Sequence, residues 1–427
     1  MKRFAILTAI VLLTAGAAFA AGTQESDGDI PTIRFAHTWG EGDAKGPYFV
    51  PALEEFAAEH ADQFKIVTET TTGDSMFNKI QVELAGDNLP DVWTYWGGNR
   101  LVPLVEADKV LNIEEYLAAT DALRQQEISR GAWSLYQVGD DVYGIPLEGY
   151  VAAFLVNREL FAEHDLDYPT TLEEMIEVGE VFQENGIIPF AMGSQGGNPS
   201  HFWFSEVYNQ LPGAENELLS LPQTKNFSTD NAYRTAELMV EMKEAGLYPK
   251  DTVANGDWGP AFALYNEGRA AMVYTYPWML GSMNEEMQDK SVPIAVPQIP
   301  GAARDPENFI SGGAVFGIVV NRESFEDPAK QEAIVKLLDF MVSNELFNEI
   351  MKGGVIPTKD YDMDTSNFNL VMQRNLEFTS DMGKVTSHWW NIWDNSAAQT
   401  FQSSLDELFA GVIGPTEFVD QVQASFE

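Results

Sequence analysis

Ile33-Arg34-Phe35-Ala36, Phe64-Lys65-Ile66-Val67-Thr68-Glu69-Thr70 and Asp91-Val92-Trp93-Thr94-Tyr95 are three short runs of apolar and β-branched residues. Between them, Gly46 to His60 puts Phe49, Leu53, Phe56 and Ala57 on one helical face, and Asp74 to Ala85 spaces Phe77, Ile80, Val82 and Leu84 in the helical manner. Strand runs alternating with amphipathic helices give the order β-α-β-α-β. That order predicts a mainly parallel sheet with helices on both faces, an α/β fold. In such sheets ligands sit beyond the carboxyl ends of the strands, among the loops.

Working outward, the second half repeats the alternation with longer helices. Leu172 to Asn185 and Asn231 to Ala245 are amphipathic, and Gly246 is a helix stop. Ala270 to Tyr274 and Ala314 to Val320 read as buried strands, and Pro328 to Met351 reads as one helix stopped by Gly353-Gly354. A chain of 427 residues is too long for one ordinary core. With no repeat and no disposable linker, two lobes between which the chain crosses more than once are expected.

Composition removes whole classes of function. The chain has 25 Lys+Arg against 65 Asp+Glu, a formal charge of -40. Phosphate backbones of nucleic acids and anionic lipid surfaces attract clustered Lys and Arg, so neither is an expected partner. After the first twenty residues no segment approaches about 20 apolar residues, so no direct membrane insertion is expected. The chain has 0 Cys, which excludes disulfides, Cys-based zinc sites, iron-sulfur clusters and thiol nucleophiles. Met1-Lys2-Arg3, the apolar run Phe4 to Leu13 and Ala18-Phe19-Ala20 have the form of a secretory signal cut after Ala20, followed by a polar linker over 21–29. With no cysteine at the junction, lipid attachment is not expected, and the mature protein should be a periplasmic or otherwise extracytoplasmic monomer.

No Gly-x4-Gly-Lys-Ser/Thr loop, Gly-x-Ser-x-Gly elbow or His-Glu-x-x-His helix occurs, and the 5 histidines lack ligand spacing, so no cofactor and no metal are expected. Asp360-Tyr361-Asp362-Met363-Asp364 starts like a calcium loop, but Thr365 stands where the turn needs Gly and Val371 where a bidentate Glu is needed. What remains is a pattern among the 10 tryptophans. Trp39, Trp96 and Trp278 follow strand-like runs, Trp203 lies in a Gly/Asn/Pro/Ser-rich stretch, and Trp389, Trp390 and Trp393 cluster. A sugar offers C–H faces that stack on a flat indole and hydroxyls that need polar partners. Trp93, inside a strand, and Trp133, inside a helix-like segment, are expected to pack.

These features, with Leu89-Pro90-Asp91-Val92-Trp93, Tyr143-Gly144-Ile145-Pro146-Leu147-Glu148-Gly149-Tyr150, Leu155 to Phe161, Phe262 to Met272, Tyr276-Pro277-Trp278, Gly312-Gly313 and Gly353-Gly354-Val355-Ile356-Pro357-Thr358, resemble a known family. It is the extracellular solute-binding family 1, the sugar-binding proteins of bacterial ABC importers that include maltose-binding protein. The resemblance implies a two-lobed type II periplasmic-binding-protein fold with three hinge crossovers. Lobe 1 would be 30–143 plus 315–353, and lobe 2 would be 147–310 plus 357–427. The hinges would lie near 144–148, 309–314 and 353–357. The cleft would close on a mono- or oligosaccharide, and a membrane permease would read the closed form.

Carried over residue by residue, the resemblance makes Trp96 the first-lobe stacking ring and Asn99 a hydroxyl contact, with Asn where the family has an acid. Arg100 matches a basic cleft residue. Tyr150 aligns with a crossover acid, a role Glu148 offers equally. Trp278 matches the second-lobe ring, and one of Trp389, Trp390 and Trp393 matches a C-terminal one. Trp39 and Asp43 lie where the family often places a contact, Trp203 matches by region, and Gly312 and Gly313 complete the set. The alternatives are an exported glycoside hydrolase, or a receptor for glycerol phosphate, an iron complex or a polyamine. Few basic residues near the cleft oppose a phosphate, no Tyr/His cluster supports iron, and a polyamine does not explain the tryptophans.

Overall fold

The computed structural model describes residues 30–71, 73–385, 393 and 395–426. The expected signal over 1–20 and the linker over 21–29 lie outside the described residues, as do Trp389 and Trp390.

Two sheets organise the chain. The first contains β1 (Thr32–His37), β2 (Lys65–Thr70) and β3 (Val92–Trp96), with β1 parallel to both neighbours. The hairpin β4 (Gln137–Val138) and β5 (Asp141–Val142) leads into β6 (Ile145–Val151). The second sheet contains β7 (Ala153–Asn157) and β8 (Ile188–Ala191), and the short pair β9 (Ser194–Gln195) and β10 (Asn198–Pro199) lies beside it in sequence. β11 (Ala270–Thr275) and β12 (Ser291–Ile294) complete it, in the order β12-β7-β11-β8. β13 (Phe309–Val320), β14 (Ile356–Pro357) and β15 (Gly383–Val385) return to the first sheet, whose path is β14-β6-β13-β3-β1-β2, with β15 beside β13.

The sheets are therefore mixed rather than mainly parallel. β13 runs antiparallel to β3 and β6, β14 to β6, and β7 to both β11 and β12. The reason is topological: a chain that enters the second lobe and returns must run back along the sheet it left. Helix expectations hold at Gly46–Glu59, Gly73–Ala85, Leu172–Glu184 and Asp230–Glu244. The single helix expected over Pro328 to Met351 is two, Gln331–Met341 and Asn344–Ile350. Ser343 breaks it, because its side chain accepts from the Leu346 N–H and caps a new start.

Strand periodicity places the cores. In the first sheet Ile33, Phe35 and Val92 face one cluster with Phe49, Leu53 and Leu337, whereas Ala36, Trp93 and Tyr95 face the other with Phe77 and Ile80. In the second, Phe154, Val156, Met272 and Tyr274 face one cluster, and Ala153, Leu155 and Val273 the other. Apart from the exposed edge strand β2, both sheets are buried on both faces, as a sheet covered by helices must be. β13 belongs to both lobes: Ile310 packs in the core around Phe154, while Phe316, Ile318 and Val320 pack in the core around Phe35. Its register against β6 shifts on either side of Phe316. Among the described residues, no helix is long and apolar enough to cross a membrane.

Candidate functional site: an aromatic cleft between the lobes

A cavity of about 580 Å³ lies between the lobes and takes its walls from both cores. Trp39 follows β1 and Trp96 ends β3, so both stand at the carboxyl ends of parallel strands, and both line the cavity. Phe316 of β13 ties them together, with ring centroids 4.9 Å from Trp96 and 6.1 Å from Trp39. Phe49 meets Trp39 edge-on at 5.1 Å and fixes its plane.

The second lobe supplies Phe202, Trp258 and Trp278. Pro277 opens the short helix Pro277–Leu280, where its missing N–H costs nothing, and so turns Trp278 out of the end of β11. Tyr276 backs Trp278 in a parallel stack, centroids 4.8 Å apart and planes 5° apart. Trp258 meets Trp278 edge-on at 5.6 Å. Asp406 holds the loop before the Phe202 helix, its carboxylate accepting from the Ser194 hydroxyl at 2.8 Å and from the Gly196 and Gly197 N–H groups at 2.7 and 2.9 Å. Along that helix His201 meets the Asn198 side chain through Nε2 at 3.0 Å, and both line the cavity.

Charge is confined to a few places on the lining. Glu148 of β6 is 2% exposed, with Lys45 Nζ 3.5 Å from its Oε1, and Asp43 Oδ1 lies 3.4 Å from the same ammonium. Burial alone would lower the Lys45 pKa, but the two carboxylates outweigh it and hold the ammonium above its ordinary value. Burial raises the Glu148 carboxyl against the opposing Lys45 charge. Glu148 Oε1 has no hydrogen-bond partner among the described residues. A buried carboxylate on a cavity wall, its Oε1 met by the Lys45 ammonium only at 3.5 Å, is what a hydroxyl-bearing ligand would complete.

The Gly353-Gly354 segment is wedged beside this cavity between a first-lobe loop and a second-lobe turn, backbone on backbone. A Cβ on Gly354, whose φ is +91°, would lie 2.2 Å from the Pro277 carbonyl oxygen, and one on Gly353 would lie 2.6 Å from that of Ala44. Only glycine lets the chain pass between the Trp278 turn and the Lys45 loop.

The structure thus brings Trp39, Asp43, Trp96, Glu148 and Trp278 to one cavity. The other expected positions lie elsewhere. Asn99 and Arg100 are off the lining: Arg100 is 3% exposed, its guanidinium 4.6 Å from the Phe77 ring and 5.3 Å from the Trp96 ring, so it braces Trp96 from behind. Tyr150 points the same way from β6 as Glu148 but one pair further on, where it packs 5.6 Å from Tyr276. Gly312 and Gly313 pair with Val151 and Tyr150 inside the sheet. Trp203 is a core residue whose indole N–H donates to the Tyr248 hydroxyl at 3.0 Å, among Phe154, Phe190 and Tyr274. Trp393 packs edge-on against Phe227, Phe401 and Phe426. Trp93 and Trp133 are buried in the first lobe.

Sequence reasoning passed over Lys45, Phe202, Trp258 and Phe316. Trp258 sits in Gly256-Asp257-Trp258-Gly259-Pro260, the same turn-rich setting that drew attention to Trp203, so its signal was present. Phe316 has no local signal, since it reads as one apolar residue of a strand and faces the cavity only because β13 crosses between lobes.

Two α/β lobes on interleaved segments, joined through β6, β13 and β14 with an aromatic cleft between, define a type II periplasmic-binding-protein fold. A family model described as bacterial extracellular solute-binding protein matches residues 40–346, and the chain belongs to that family. It is 20% identical over 346 residues to an uncharacterized ABC transporter extracellular-binding protein of Pyrococcus horikoshii, covering 78% of this chain and 74% of that one. A chitin oligosaccharide binding protein superposes with a TM-score of 0.80 at 17% identity, over 92% of this chain and 98% of the other. A structure from work on xylan utilization by the thermophilic bacterium Caldanaerobius polysaccharolyticus superposes with a TM-score of 0.79 at 24% identity, over 92% and 99%.

Proposed function

We propose that this protein is the extracytoplasmic carbohydrate receptor of an ABC importer, closing its lobes on a mono- or oligosaccharide and presenting the closed form to a membrane permease. The observation that carries this reading is the cavity itself: Trp39, Trp96 and Phe316 from one lobe and Phe202, Trp258 and Trp278 from the other. Indole and phenyl faces suit the C–H faces of sugar rings, and the Glu148 and Asp43 carboxylates suit hydroxyl donors. The chitin-oligosaccharide and xylan-utilization relatives favour the same cargo class. In this reading lobe 1 is 30–143 plus 315–353, lobe 2 is 147–310 plus 357–427, and hinges near 144–148, 309–314 and 353–357 absorb the rotation. The division of β13 side chains between the two cores supports that partition. Export would follow cleavage after Ala20, which the mass of the secreted chain tests.

The deciding experiment is a thermal-shift and intrinsic-fluorescence screen with xylo-, chito- and malto-oligosaccharides and monosaccharides. A true cargo at 100 times Kd should stabilise the fold by about 2.7 kcal/mol and be recovered unchanged. Absence of any shift across the panel would overturn the carbohydrate reading, and release of shorter sugars would replace the receptor with a glycoside hydrolase.

A further inference from the structure

Behind the second-lobe wall lies a buried carboxyl that does not reach the cavity. Glu206 is 0% exposed and sits on the helix Ser200–Asn209, the helix that carries Phe202. Its Oε2 accepts from the Tyr274 hydroxyl at 2.6 Å, from the Ser311 hydroxyl and from the Ser311 N–H at 3.3 Å. With the Tyr274 proton committed to Glu206, the Tyr276 hydroxyl donates to the Tyr274 oxygen across 3.0 Å. Tyr276 is the ring on which Trp278 stacks, and it also meets Phe202 in a tilted contact at 4.7 Å.

One carboxyl therefore joins three elements: the Phe202 helix, the Tyr274-Thr275-Tyr276 end of β11 and the crossover strand β13. Ser311 stands directly before Gly312-Gly313, where β13 pairs with β6. Burying a carboxyl is costly, and burial raises the pKa of this one against the donors from Ser311 and Tyr274. Glu206 Oε1 adds to that cost, having no hydrogen-bond partner among the described residues. A leucine would pack here without that penalty, but it would not fix the direction of Tyr274 or hold β13 at Ser311.

We propose that Glu206 is a positioning residue of the binding cleft, setting the Trp278 plate through Tyr274 and Tyr276 and tying that plate to the crossover strand through Ser311. The Trp278 surface and the strand that passes between the lobes then move as one body, so stacking a ligand on Trp278 acts on the hinge without a contact between ligand and Glu206. This deepens the carbohydrate-receptor reading and rests on it for the ligand.

The test uses the full chain labelled with fluorotryptophan, with the Trp278 resonance assigned by its loss in Trp278→Phe. Glu206→Gln, Ser311→Ala and Tyr274→Phe are each compared with the unmodified chain by fluorine NMR and by calorimetry with xylotriose and chitotriose. Losing one of these buried hydrogen bonds should shift the Trp278 resonance, leave that of Trp133 in place, and weaken sugar binding about tenfold. Tyr274→Phe removes only a hydroxyl and keeps the ring, so it decides the matter if Glu206→Gln does not fold. An unmoved Trp278 resonance overturns the proposal, as does a moved resonance with unchanged affinity. If the unmodified chain binds neither sugar, the fault lies with the cargo reading, and the resonance still decides whether Glu206 sets the ring.

Discussion

Lys45 Nζ lies 3.5 Å from Glu148 Oε1 at the junction of a first-lobe loop and a crossover strand, both side chains buried. The ammonium is what makes a buried Glu148 carboxylate tolerable. Lys45→Met should therefore cost about 3 kcal/mol at pH 7, because it leaves that carboxylate unpaired. The loss should shrink toward pH 5. Without Lys45 the Glu148 carboxyl rises further above its ordinary value, and an acid with a raised folded pKa loses stability as pH rises through that value. Urea unfolding at the two pH values measures this, and an equal loss at both would mean that Lys45 offsets something other than Glu148.

His37 ends β1 beside the cavity, and burial lowers its pKa to about 4 against the opposing charge of Asp43. A depressed histidine favours the neutral folded form. Its contribution is complete above about 6.5 and is lost as pH falls from there through about 4, amounting to about 3 kcal/mol. Thermal unfolding of the wild type and His37→Gln across pH 7 to 4 should show the variant with the shallower decline. Parallel curves would count against it.

Two tryptophans from one lobe should part company on mutation. Trp278→Ala removes a cavity wall and should weaken sugar binding at least about tenfold with a small change in Tm. Trp203→Ala empties a packed core and removes the indole N–H that the Tyr248 hydroxyl accepts, and should cost about 3 to 5 kcal/mol in stability. Calorimetry and denaturant unfolding on both variants separate the roles, and an unchanged affinity in Trp278→Ala would remove that ring from the site.

Gly354→Ala places a methyl against the Pro277 carbonyl in a left-handed backbone conformation. A destabilisation of about 2 kcal/mol or more is expected, together with weaker sugar binding, since the Trp278 turn must back away. Gly131, where an added Cβ meets nothing within 4 Å, is the control and should tolerate alanine. Similar effects at both positions would argue against this close backbone contact.

The α/β alternation was legible because it is local. Ile33 and Phe35 against Ala36, and Phe154 against Leu155, announce two buried faces by spacing alone. The break at Ser343 was not, since an amphipathic pattern that continues on both sides of a cap looks like one helix. At the site, Trp39, Trp96 and Trp278 could be picked out because each ends a strand. Trp203 shows the same turn-rich context and yet faces a core, so context alone does not tell a wall from a core.

The amino-acid sequence by itself determined the α/β class, the absence of thiol chemistry and the pool of aromatic residues from which a cleft is built. These follow from composition and short-range period, which need no knowledge of what lies across the fold. Only the tertiary structure decided that Phe316 and Trp258 line the cavity while Arg100 and Trp393 do not, that Glu148 rather than Tyr150 faces it, and that Glu206 stands behind Trp278. The physical reason is the crossing chain. β6, β13 and β14 bring residues far apart in sequence to one cleft, and a side chain's neighbours there depend on register and lobe packing that no local window contains.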